Sequence, residues 1–138
     1  MTPTAAVYQV LAGDVALLAL LPGGVWQGIG EISRQSAPAA FDANSELRPC
    51  ALVKAESERD DGPARIAGAQ MVAIWVYDRT SDENVEAAVA RIHALLRRRQ
   101  MGAGMWEANR ISATWGWRDD ALAAQGGVAR YEVYVYRG

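Results

Sequence analysis

The sequence predicts an α+β fold: a mostly antiparallel sheet of four to five strands, with a long helix and an N-terminal helix packed on it. Three observations carry this. Apolar residues recur at helical spacing through 85–96, at Val85, Ala88, Val89, Ile92, Leu95 and Leu96. The run 69–77 is apolar on both of its alternating faces, as a central strand covered on both sides must be. Two more alternating segments, 111–117 and 128–136, follow the long helix without a helix between them, which favours antiparallel pairing over a βαβ repeat.

Taken in order, Thr2 is placed to cap a first helix and Pro3 suits its first turn, where a missing N–H has no partner to lose. Val7, Val10 and Leu11 then share one helical face. Gly13 interrupts, Asp14 caps a short second helix over 15–21, and Pro22-Gly23-Gly24 ends it. Residues 25–29 alternate as a short strand. Residues 31–48 are small and polar with no clean period, and read as a long excursion containing a little helix. Pro49 precedes a strand over 50–56. Residues 57–67 form a charged hairpin tip around Asp61-Gly62-Pro63, leading into the strand at 69–77. Thr80 and Glu83 fit a capping box for the long helix, whose acidic first turn and Arg97-Arg98-Arg99 end both complement its dipole, and Gly102 stops it. Ile111, Ala113, Trp115 and Trp117 are expected on one face of their strand. Residues 118–127 form a loop before the last strand.

At 138 residues the chain reads as one domain, 1–138. Its 51% hydrophobic content includes 26 alanines, so the core is of ordinary size. A net charge of -2 argues against nucleic-acid binding as the main task. No apolar run reaches membrane length, and the N-terminus does not read as a signal peptide, so a reducing, cytoplasm-like compartment is expected. One cysteine, Cys50, leaves no internal disulfide, and one histidine, His93, leaves no multi-histidine metal site. Thirteen of the 14 basic residues are arginine, which fits either a GC-rich coding genome or interfaces built on guanidinium forks.

The search for catalytic chemistry finds little. His93 lies beside the apolar stripe of the long helix and Cys50 starts a strand with no basic neighbour. Asp60-Asp61 and Asp119-Asp120 are paired carboxylates suited to a cation or to acid–base work, but both sit in turns where aspartate is favoured for geometry alone. Neither Gly23-Gly24 nor Gly102-Ala103-Gly104 has the lysine and spacing of a phosphate loop. Arg97, Arg98 and Arg99 suit either phosphate or a solvated helix end. Trp106, Trp115 and Trp117 stand out, because tryptophan and arginine are enriched where proteins meet. They pack under the helices or face a partner. The candidate surface residues are therefore Arg97, Arg98, Arg99, Trp106, Trp115 and Trp117, with the hairpin residues Arg59, Asp60, Asp61, Asp119 and Asp120.

The order of segments resembles the siphophage tail terminator, or tail-completion, family of small ring-forming proteins. The resemblance lies in an N-terminal helix leading into 14–24, the short strand Val25-Trp26-Gln27-Gly28, and a small-residue loop ending at Pro49-Cys50-Ala51-Leu52-Val53. It continues through Met71-Val72-Ala73-Ile74-Trp75-Val76-Tyr77 into the amphipathic helix, and closes with Tyr131-Glu132-Val133-Tyr134-Val135-Tyr136. It implies a non-catalytic virion protein of the tail or neck, without metal or cofactor, assembled in the host bacterial cytoplasm. Its partners would be copies of itself in a hexameric ring, the tail tube protein, and the head-closure or adaptor proteins of the neck. Such a ring ends tube growth and joins the head, with DNA only passing through its lumen. The physics of a ring agrees: it needs two different surfaces that meet around an axis, and a neighbour is one way to cover an exposed strand edge. Two other readings stand beside it, a neighbouring neck component and a small α+β ligand-binding dimer or enzyme.

Overall fold

The computed structural model describes residues 2–61, 67–97, 99–102 and 105–136, with the side chains of 58–61, 67, 102, 106 and 136 left out of the description. It is an α+β arrangement of three helices and one six-stranded sheet curled into a half-barrel.

The helices are α1 (Pro3–Ala12), α2 (Val15–Leu20) and α3 (Asp82–Leu96). The expected caps at the first two are in place. Thr2 Oγ1 accepts from the Ala5 N–H at 3.1 Å, and Asp14 Oδ2 accepts from the Leu17 N–H at 2.8 Å. The cap of α3 differs from expectation. Ser81, not Thr80, is the N-cap, accepting from the Asn84 N–H at 3.0 Å. Asp78 is the reason. Its Oδ1 takes the N–H groups of Thr80 and Ser81, each at 3.0 Å, so the chain turns one residue later than the capping box would place it. The other end also differs. The helix stops at Leu96, where Arg97 adopts extended geometry; Gly102 lies beyond, in a strand.

The strands are β1 (Val25–Gln27), β2 (Cys50–Asp61), β3 (Ala67–Asp78), β4 (Gln100–Gly102), β5 (Met105–Asp119) and β6 (Ala124–Tyr136), in sheet order β1-β2-β3-β6-β5-β4. Four pairings are antiparallel, but β1 runs parallel to β2, so the sheet is mixed and larger than expected. The parallel pair explains the excursion. Parallel neighbours cannot be joined by a tight turn and need a crossover of a dozen or more residues. Residues 28–49 are that crossover, with one short 3-10 turn at Pro38–Ala40.

Each sheet face has its own core. The α1 and α3 side buries Val7, Leu11, Val53, Val72, Ile74, Val76, Val89, Ile92, Leu96, Tyr131 and Val133 in one cluster. On the opposite face the crossover supplies Ile32, Ala37, Ala40 and Leu47. These pack on Cys50, Leu52, Tyr77 and Ala124, with Trp26, Trp75 and Trp117 around them. The excursion holds itself together by its own bonds. Asp42 Oδ1 accepts from the Asn44 and Glu46 N–H groups, Arg34 Nε donates to the Ser45 carbonyl at 3.1 Å, and the Arg48 N–H donates to Ala40 O at 2.7 Å. Lys54 Nζ reaches the Gly30 carbonyl at 2.8 Å.

Trp115 and Trp117 do not share a face. Gly116, at φ +84°, forms a bulge that shifts the β5–β6 register between them. Trp115 therefore pairs with Gly127 on the α3 side, whereas Trp117 pairs with Gly126 on the excursion side. There it meets Trp75 and Tyr77 edge-on, at 5.9 and 6.1 Å between ring centroids.

Candidate interaction surfaces

Two polar nodes fix the helices against the sheet. Arg91 on α3 grips Asp14 with both arms, Nε to Oδ2 at 2.9 Å and Nη2 to Oδ1 at 2.8 Å. That fork, followed by the Leu17 N–H, brings the Asp14 carboxyl down from 3.8 to about 2. Asp78, buried at the end of β3, accepts from Asn84 Nδ2 at 2.8 Å, and the same amide donates to Leu20 O at 2.9 Å. β3, α2 and α3 are thereby tied at one point. Both nodes are saturated within the chain and serve structure.

The two expected clusters of surface residues lie at opposite ends of the sheet. At the end formed by the α3 C-terminus, β4 and the β2–β3 hairpin, Arg97 is exposed and bridges to Ala108 of β5. Arg99 turns back to cap the helix, Nε to Leu95 O at 2.9 Å. Arg98 lies outside the described residues, as does the side chain of Trp106, whose backbone belongs to β5. Arg59, Asp60 and Asp61 form the last ladder positions of β2, opposite Ala69, Gly68 and Ala67; their side chains are also outside the description. At the other end, Trp115 is 46% exposed, while Trp117 is half-buried in the second core. Asp119 caps the tight β5–β6 turn by accepting from the Leu122 N–H at 2.9 Å. Asp120 is fully in solvent, 3.9 Å from Arg118. The expected 118–127 loop shrinks to this turn because β5 and β6 pair as far as Asp119 and Ala124.

A cleft of about 430 Å³ opens between α3 and β5, lined by His93, Arg97, Glu107, Ala108, Asn109 and Arg110. His93 Nδ1 lies 3.1 Å from the Tyr131 hydroxyl, and the two rings stack. Burial, then the charges of Arg110 and Arg97, hold this imidazole below its usual 6.5. Burial pushes the Tyr131 phenol up to about 12. The phenol therefore keeps its proton at neutral pH. Cys50 is fully buried, its thiol raised to about 12 by burial and by nearby Asp78. Such a thiol is a poor nucleophile. Among the described residues no group of three His, Cys, Asp or Glu is placed to hold a metal ion, and no helix is long and apolar enough to cross a membrane.

Sequence reasoning did not find the sheet edges. β4 covers only the start of β5, pairing Gln100 with Glu107 and Gly102 with Met105, and β1 covers only Ala51, Leu52 and Val53 of β2. Among the described residues, the outer edges of β5 over 109–119 and of β2 over 54–61 carry no further strand. Ile111, 49% exposed, lies on the first of these with Trp115. Strand length was the missing signal, because the charged run 57–61 and the mixed run 105–110 hid the continuation of both strands.

No family model matches the chain, and no curated protein matches it. Among solved structures it is similar to a chain of the "virion of native gene transfer agent (GTA) particle", with a TM-score of 0.67 and 17% identity. The match covers 97% of this chain and 94% of that one. At that identity the two share their fold, from end to end.

Proposed function

We propose that this protein is a structural subunit of a phage-like virion, a ring component that caps the tail tube, ends its polymerisation and forms the surface that joins the head. The observation that carries this reading is the end-to-end fold match with a virion chain. Two features of the surface support it. Ile111 and Trp115 stand exposed on β5, and the sheet exposes long edges of the kind that assembly covers. In this reading the protein is not an enzyme. It acts in the tail or neck of a particle put together in bacterial cytoplasm, with copies of itself, the tube protein and the neighbouring neck proteins as partners.

The test is addition of the purified protein to polymerising tail tube subunits, with tube lengths measured by negative-stain microscopy. Tubes that stop growing and carry a ring at one end are expected. Unaltered tube growth, with binding to the portal-side neck complex instead, would replace the terminator role with that of a head-closure or adaptor protein.

A further inference from the structure

The two open edges differ in a way that points to each other. Among the described residues, at ~3.3 Å per residue 109–119 presents at most about 35 Å of open edge and 54–61 about 25 Å, broken by bulges after Arg110 and Trp115 in the first and after Ala55 in the second. Proteins normally guard such edges with lysine, proline or a covering segment. The β5 stretch has no lysine and no proline, and although its bulges and Arg110 and Arg118 guard it in part, it exposes Ile111 and Trp115.

We propose that the outer edge of β5 pairs with the outer edge of β2 from a second copy, so that the sheet runs without a break from subunit to subunit. The inference deepens the ring reading and rests on it. Direction is the first argument. β2, β4 and β6 run one way along the sheet, and β3 and β5 run the other. The ladders set Arg110 level with Ala55 and Trp115 level with Ala51, so bringing 109–119 beside 54–61 takes a stagger of about five residues, which a ring axis tilted from the strands by less than ~45° supplies while keeping their sense. β5 therefore meets the β2 of the next copy antiparallel, the more stable pairing.

Charge is the second argument. Residues 54–61 carry Glu56, Glu58, Asp60 and Asp61 against Lys54 and Arg59, a sum of -2, of which Glu56 is already paired with Arg130 at 2.7 Å. Residues 109–119 carry Arg110 and Arg118 against Asp119, a sum of +1, with Arg97 beside their start. The alternative in which β5 pairs with itself about a two-fold axis is disfavoured by the same charges. Centred on Thr114, in the middle of the open stretch, it sets Arg110 against Arg118. A β5-to-β2 contact joins two different surfaces, and such contacts close into rings when the rotation allows.

Mass photometry and sedimentation velocity on the full chain test this. Wild-type protein should form a closed oligomer. Ile111→Lys with Trp115→Lys on β5, and separately Ala55→Lys at an exposed position on β2, should each weaken assembly about tenfold or more while circular dichroism stays native. Arg110→Glu should weaken it as well, and adding Asp60→Arg to the same chain should restore it. Rings that form with natively folded lysine variants, or a charge swap that does not restore assembly, would overturn edge pairing and leave the ring reading standing. A protein that stays monomeric at every concentration also overturns edge pairing, and tube capping then decides the ring reading by itself.

Discussion

At Gly126, the six-membered ring of Trp117 occupies the space a side chain would take. A Cβ added there would overlap the ring carbons, so Gly126→Ala must displace the indole from between Trp75 and Tyr77. Overpacking of this kind costs about 1–3 kcal/mol, and chemical denaturation should read a loss in that range. The Asp14–Arg91 fork behaves differently, because its loss is conditional on pH. The carboxyl titrates at about 2 when folded and near 3.8 when free. Its stabilisation is therefore complete above the free value and disappears as pH falls through the folded one. Asp14→Asn and Arg91→Met should each lower the melting temperature at pH 7, and the double variant should lose clearly less than the sum. At pH 2 the two single variants should approach the wild type. His93 works in the opposite chemical sense. Its folded imidazole gives up its proton more readily than the free one, so the unfolded chain binds more protons below about 6.5. Stability should rise with pH through that region, and His93→Gln should flatten this part of the profile.

Among the elements, the 28–49 crossover departs furthest from its appearance in the sequence. Its small, polar residues look like a surface loop, yet it roofs the second core with Ile32 and Leu47. If it is a packed layer, Leu47→Ala should cost about 2–5 kcal/mol, as for any buried leucine, whereas a loosely draped loop would give less than ~0.5 kcal/mol by urea titration. Elements whose signals are local were legible. The α1 and α2 caps at Thr2 and Asp14, the apolar stripe of α3 and the all-apolar centre of β3 follow from neighbouring residues alone. What depends on distant partners was not. The parallel direction of β1 rests on three residues that any register fits, and β4 is equally short. Asp78 displaced the α3 cap by hydrogen bonds that the pattern Thr-x-x-Glu does not encode. Gly116 in mid-strand was the one local clue that Trp115 and Trp117 part ways, because a glycine there marks a bulge.

At the scale of the whole molecule, α and β elements in the expected order built a larger, mixed sheet, since β1 and β4 join it and the charged run 57–61 and the mixed run 105–110 extend strands rather than ending them. This is also why the candidate surface residues fall at two ends of the sheet instead of one patch. Tryptophan and arginine content showed that contact surfaces were plausible, but location depends on which strand lies at an edge, and sheet order is not written in any one segment.

The burial of Cys50 beneath the crossover has a practical consequence. The thiol is the chain's one cysteine and is screened from solvent, so an alkylating reagent reaches it only when the roof lifts or the whole domain opens. Its labelling rate is therefore a built-in clock for that opening. A subunit whose crossover is pinned by neighbours in an assembly should label more slowly than the free chain, without any engineered probe.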